Sequence, residues 1–237
     1  MLKKVLILGI GLLIFSGVLF FALNKEKLFE EKETLKETGK EILLSLPKKE
    51  SFVSVEGAIL KRRSIREYKK TLISFEKLSQ ILWAAQGITD EKNNLRAVPS
   101  AGAIYPLEIY LVVKNVERIE PGVYYYVSKE HKIKKVILGD FSEKLAEAAV
   151  GQKWVREAPV NLIFLGDVSK TTEKYGERGI YYVYMEAGHA AQNVYLQAQS
   201  LSLGTVTVGA FIDKNLKDIL KASEEKTPLY IMPLGEI

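Results

Sequence analysis

Three arginines and a serine stand within five positions, at Arg62-Arg63-Ser64-Ile65-Arg66. Guanidinium groups present planar forks of N–H donors that match phosphate oxygens, and a serine hydroxyl adds one more donor. The cluster suits an anion, although by charge alone a solvated basic turn or a membrane-surface patch fits it at least as well. A second segment, AVPSAGAIYP over 97–106, brackets small residues between Pro99 and Pro106. Its backbone is stiff and nearly bare, so it can lie against a flat aromatic ligand, or simply be a loop. A third, LGTVTVGAF over 203–211, places Gly204 and Gly209 around an alternating apolar strand. Glycine in or beside a strand often marks a close backbone approach. The chain has neither a GxGxxG nor a Walker sequence, so a Rossmann dinucleotide site and a P-loop are unsupported.

Composition narrows the chemistry further. There is no cysteine, which excludes disulfides, thiolate metal sites and a cysteine nucleophile. The two histidines, His131 and His189, lie far apart in sequence, so no metal site is expected. Thirty-four basic and 29 acidic residues give a net charge of +5, with the signs interspersed. That pattern does not make a nucleic-acid stripe. With 237 residues, 47% hydrophobic and 27% charged, the chain is globular in composition and long enough for one large domain or two small ones.

The elements that must position these clusters alternate. Helices are expected over 53–60, over 75–85 behind Ser74 as N-cap, over 182–200, and over 213–220 behind Asp213 as N-cap. Strands are expected over 107–113, 123–127 after the Pro121-Gly122 turn, 131–138, 160–165, 205–210 and 229–234. Ala187, Gly188, Ala190 and Ala191 crowd the 182–200 helix, leaving room for another helix or a flat ligand. His131 reads as a surface turn residue, and His189 equally as a packed interface residue or a site residue.

The N-terminal region differs in kind. Val5 to Leu23 is 19 residues without a charge. As a helix it would span roughly 28 Å, close to the hydrocarbon thickness of a bilayer. The expectation is an uncleaved single-pass anchor over 1–23, with Lys3 and Lys4 favouring a cytoplasmic N-terminus and an exported body. Residues 24–50 read as a charged helical linker, with Leu28, Leu35 and Ile42 at seven-residue spacing. The body is expected over 51–237.

Taken together and in order, RRSIREY, PSAGAIYPLEIY, GQKW, KYGERG, MEAGHAAQN and LGTVTVGAF resemble the FMN-dependent nitroreductase superfamily. The similarity covers about 46–235, and its nearest branch is the SagB-type subgroup of azoline dehydrogenases. The resemblance implies an α+β fold with a mostly antiparallel central sheet flanked by helices. It also implies a homodimer with FMN at the interface and the 182–200 helix at its centre. Arg62, Arg63 and Ser64 would hold the FMN phosphate, with Arg66 on the phosphate or the pyrimidine edge. Pro99, Ser100, Ala101 and Gly102 would reach the flavin from the partner. Backbone at Val208 and Gly209 would line the ring and donate toward N5. Tyr182 is the one candidate for a catalytic side chain, as a proton donor.

The implied activity is hydride transfer between NAD(P)H or a similar donor and a small organic acceptor such as a quinone or nitro compound. Oxidation of a peptide or other substrate, or a silent flavin-binding module, are the alternatives. Three departures bear on this. Azoline-forming relatives carry a Lys-Tyr pair where this chain has Tyr181-Tyr182, which argues against peptide ring oxidation. Ala103 stands where nitroreductases have asparagine. The sequence also ends at Gly235-Glu236-Ile237, where relatives often place basic residues. An exported body would meet the membrane quinone pool or a redox protein rather than NAD(P)H.

Overall fold

The computed structural model describes residues 41–237. The proposed anchor and residues 24–40 of the linker lie outside the described residues. No helix among the described residues is long and apolar enough to cross a membrane.

A seven-stranded antiparallel sheet runs in the order β1-β6-β5-β4-β7-β9-β8. Its strands are β1 (Glu41–Leu43), β4 (Leu107–Val113), β5 (Gly122–Val127), β6 (Lys132–Leu138), β7 (Val160–Gly166), β8 (Leu203–Thr205) and β9 (Thr227–Glu236). A small hairpin joins β2 (Ile88–Asp90) to β3 (Leu95–Arg96). The helices are α1 (Val55–Lys61), α2 (Phe75–Gln86), α3 (Ser142–Ala148), α4 (Lys153–Glu157), α5 (Val168–Tyr175), α6 (Arg178–Ser200) and α7 (Asp213–Leu220).

Every residue of β7 is buried, as a central strand covered on both faces requires. Side chains alternate across a strand. Ile163 and Leu165 join the apolar cluster of Leu145, Val155, Leu216 and Leu220 from α3, α4 and α7. Leu162 and Phe164 therefore face the other side, where α6 packs on β7 and β4, with α2 against α6. Full burial of a leucine or phenylalanine contributes about 1.5–3 kcal/mol, so this double-sided core fixes where α6 lies.

Helix starts follow the sequence closely. Ser74 accepts from the Lys77 N–H, capping α2, and Ser54 caps α1 through the Gly57 N–H. At α7 the cap is Ile212, and Asp213 falls in the first turn. The expected 205–210 strand is shorter: β8 ends at Thr205, and only Val208 returns to the ladder, bridging Ile231.

The helical reading of the linker fails at its described end. Residues 41–43 form a strand paired with β6, because Glu41 faces two cations there, at 2.8 Å from Lys132 and 3.1 Å from Lys134. The segment stays on the body beyond β1. The Ser79 hydroxyl donates to the Ser45 carbonyl at 2.6 Å, and the Gln80 amide exchanges two bonds with the Lys48 backbone. His131 stands in a turn, at φ +45°, but not at the surface: it is half-buried, and its ring reaches Ser79, the Ser45 carbonyl and the Tyr126 hydroxyl. Burial lowers its pKa, against a raising bond to Ser45.

At the other end of the sheet Lys226 joins Glu108 at 2.6 Å and Asp167 at 2.8 Å. Burial pushes the Asp167 carboxyl up, but bonds from Lys226 and Ser169 and the charges of Lys226 and Lys170 outweigh it and hold the pKa low. A lowered carboxylate contributes stability above its unfolded value of about 3.9 and loses it as pH falls through the folded value. Lys226→Gln should therefore cost about 1–3 kcal/mol at pH 7 and flatten the acid limb of the stability curve. Denaturant unfolding from pH 7 to pH 2 measures both.

Candidate flavin site

The basic cluster begins where α1 ends. Arg62 caps that helix, its N–H donating to the Ala58 carbonyl, and the chain then runs extended along β8. Gly204 makes this possible. A Cβ there would stand 2.7 Å from the Ile65 side chain, so only glycine lets the segment lie this close. The Ile65 N–H donates to the Thr205 carbonyl at 2.9 Å, and the Lys69 N–H to the Glu236 carbonyl. The cluster is thereby held on the sheet edge rather than left as a free basic turn.

Its side chains part company. Arg62 lies over the Tyr195 ring at 5.1 Å, and Arg66 over the Trp154 ring at 5.3 Å. The Ser64 hydroxyl stands 3.2 Å from the Tyr195 hydroxyl. Arg63 turns back instead, donating to the Leu60 and Arg62 carbonyls at 3.1 and 2.7 Å. Arg62, Ser64 and Arg66 are thus posed on aromatic supports, whereas Arg63 is occupied with backbone.

The segment after β8 reaches the same place. The Thr207 N–H faces off the edge of the sheet and donates to the Tyr195 hydroxyl at 2.8 Å. The Val208 N–H donates to the Ile231 carbonyl at 2.8 Å, so Val208 has no amide proton to offer a ligand. The Gly209 N–H has no partner among the described residues. Gly209 is exposed, and a Cβ built on it meets nothing within 4 Å. The expectation for this pair thus narrows to one free donor, at Gly209, beside open space. Gln152 fixes the following residue by donating to the Ala210 carbonyl at 3.1 Å.

The Pro99–Gly102 loop belongs to a different neighbourhood. Ser100 accepts from the Tyr105 N–H at 2.8 Å, and its hydroxyl stands near enough to the Glu186 carboxylate on α6 to lower that group's pKa. Glu186 is buried and also accepts from the Gln86 amide at 3.1 Å. Burial raises its pKa, opposed by the bonds from Ser100 and Gln86 and by the charge of Arg96. Pro99 and Gly102 are exposed, Ala101 half-buried, and Gly102 takes φ +61°. Tyr182 sits on this side, edge-to-face with Tyr175 at 5.2 Å, and Tyr175 in turn borders Gly102.

Ser64 and Ser100 are therefore tied to the same helix at Tyr195 and Glu186, nine residues apart. At 1.5 Å per residue these supports are separated by about 13.5 Å along the axis. The chain brings the arginine cluster together with Tyr195 and Thr207, two residues before Gly209, and it places the Pro99–Gly102 loop and Tyr182 elsewhere. Along α6, Tyr181, Tyr184 and Met185 are exposed before Glu186, and Gly188, His189 and Gln192 between Glu186 and Tyr195, all at three- and four-residue spacing. That places His189 on an open helix face. The cavity of about 500 Å³ under residues 48–53 is lined by none of these site residues.

Sequence reasoning missed Tyr195 as an organising residue, held Glu186 only as a helical polar position that could touch the site or else cap or pair, and left Gln152 and Trp154 without a role. The signal for the last two was present in GQKW. For Tyr195 and Glu186 the signal was only a polar group on an otherwise apolar or small-residue helix stripe.

The chain as a whole is similar to known proteins. The family model described as Nitroreductase family matches residues 59–236. A protein of Methanocaldococcus jannaschii named as a nitroreductase is 48% identical over 183 residues, covering 77% of this chain and 91% of the relative. The FMN reductase [NAD(P)H] of Bacillus subtilis is 25% identical over 185 residues, covering 73% of this chain and 59% of the relative. In fold, the chain superposes with a TM-score of 0.65 on a subunit of the Escherichia coli microcin synthetase McbBCD complex, at 22% identity, covering 89% of this chain and 80% of that one. The chain belongs to the nitroreductase family and is an oxidoreductase.

Glu186→Ala should leave the Gln86 amide and the Ser100 hydroxyl without their buried acceptor. The expected cost is about 1–3 kcal/mol, with local loosening of 99–105 seen as faster amide hydrogen exchange there than in β7.

Proposed function

We propose that the chain is an FMN-dependent oxidoreductase acting as a homodimer. Hydride would pass between NAD(P)H or a similar donor and a small organic acceptor such as a quinone or nitro compound. The observation that carries this reading is the gathering of Arg62, Ser64 and the Thr207 N–H around Tyr195, with Arg66 close by in the chain on Trp154 and the free Gly209 N–H two residues beyond Thr207. The residues fit the group: cationic forks and a hydroxyl suit a phosphate dianion, and a lone amide donor beside open space suits the edge of a flat ring. The name of the Bacillus subtilis relative supports the same cofactor and donor.

FMN, when bound, supplies a ring nitrogen that accepts and returns hydride. The chain's residues do the holding. Arg62 and Ser64 take the phosphate, Arg66 the phosphate or the pyrimidine edge, and the Gly209 N–H orients the ring. Positive charge near the ring favours its reduced anionic form. Pro99–Gly102 of a second copy would close the ring's other side, brought there by pairing of the exposed α6 faces. That accounts for two half-sites that one chain keeps apart. No side chain is needed as nucleophile, in keeping with a cysteine-free sequence.

The uncharged run over 5–23 supports a single-pass anchor holding this domain at a membrane. An exported domain would exchange electrons with quinones or a redox protein in place of NAD(P)H.

FMN titration followed by quenching of flavin fluorescence tests the phosphate site. Arg62→Ala should weaken binding roughly tenfold or more, as loss of a charge-assisted bond does. Arg63→Ala should change it less than about threefold, because that guanidinium is engaged with backbone carbonyls. Unchanged binding in the Arg62 variant would overturn the site.

A further inference from the structure

Among the described residues, Tyr195 is a side chain that touches both the arginine segment and the strand after β8. Its hydroxyl accepts from the Thr207 N–H at 2.8 Å and lies 3.2 Å from the Ser64 hydroxyl and 3.4 Å from the Thr207 hydroxyl. Its ring carries the Arg62 guanidinium, and the residue is 8% exposed.

The direction of donation along this chain is set at both ends. A backbone N–H can only donate, so the Tyr195 oxygen accepts from Thr207. A phosphate oxygen facing Ser64 can only accept, so Ser64 must spend its single proton on that oxygen. The proton of Tyr195 then goes to the Ser64 oxygen, the nearer of its two hydroxyl neighbours at 3.2 Å against 3.4 Å for Thr207, because the reverse bond would leave Ser64 with lone pairs toward the anion. The order is Thr207 N–H to Tyr195 O–H to Ser64 O–H to anion. Donors aligned this way polarise one another and strengthen the last bond.

We propose that Tyr195 is a positioning residue that aims the Ser64 proton at the phosphate and couples phosphate occupancy to the 207–209 backbone. The proposal rests on the flavin reading above but reaches beyond it, since it assigns the anion's grip to a buried tyrosine that need not touch the ligand. Arg62 stacking gives Tyr195 a second part, which Tyr195→Phe preserves.

The test compares FMN with riboflavin, which lacks the phosphate, on the full chain. Disturbance of the 207–209 backbone weakens both flavins alike, so their affinity ratio isolates the Ser64 bond. Tyr195→Phe should reduce the preference for FMN roughly tenfold, Ser64→Ala should do the same, and the double variant should fall no further. A ratio kept within about twofold in Tyr195→Phe, or losses that multiply in the double variant, would overturn the proposal. Wild-type protein that binds neither flavin would remove the flavin reading and this proposal with it, which distinguishes the two failures.

A second measurement needs no tyrosine variant. Inorganic phosphate added to isotopically labelled wild type should shift the Thr207 amide resonance, and Ser64→Ala should abolish that shift. A Thr207 amide indifferent to phosphate in the wild type would contradict the relay.

Discussion

The site depends on one backbone amide that faces off the edge of its sheet. The β8–β9 register carries on from Thr205 opposite Leu234 to Val208 opposite Ile231, and between them the Thr207 N–H donates to a tyrosine hydroxyl rather than to β9. An unpaired buried amide costs about 1–3 kcal/mol, so the tyrosine hydroxyl supplies the acceptor that an edge strand lacks on its open side. The same hydroxyl reaches Ser64, and the same ring supports Arg62. One outward-facing amide thus ties the cationic patch to the strand that leads to Gly209.

Helix α6 turns this local arrangement into an architecture. It packs on β4, β7 and α2 and carries both supports, Tyr195 toward its C-terminal end and Glu186 nearer its middle. Each anchors a serine in a different loop, Ser64 and Ser100. The helix keeps these loops apart in one chain and presents a stripe of exposed tyrosines and methionine before Glu186 that continues through glycine and histidine toward Tyr195. Such a stripe on a helix otherwise buried in the core is the surface that a second copy would cover. A bound ring gripped at its phosphate by one chain and covered by the loop of the other needs no catalytic side chain.

Much of the fold was legible. Residues 107–113, 160–165 and 213–220 are recovered nearly residue for residue, because dense β-branched runs and a clear amphipathic period leave few alternatives. The errors have a common cause, which is tertiary bonding that no local pattern encodes. Glu41–Leu43 looks helical from its leucine and isoleucine spacing, yet two lysines of β6 draw Glu41 into a strand. The 205–210 alternation looks like an unbroken strand, yet Pro233, opposite Val206 in that register, has no N–H to give the ladder. His131 looks like a surface turn residue, yet Ser79 and Tyr126 close around it. At the site, the residue types of the arginine cluster were legible, whereas the division of labour between Arg62 and Arg63 was not. It depends on which guanidinium finds an aromatic ring and which finds a helix end.

If one chain holds half of a flavin site and a second copy completes it, flavin and dimer must travel together. Sedimentation velocity on the full chain saturated with FMN, recorded at the flavin's visible band, reads this out. All bound flavin should sediment with a dimer, in equimolar ratio to the chain, and none should accompany monomer on dilution. Flavin that stays with monomer, or a dimer that sediments without it, would rule out a site shared between two copies.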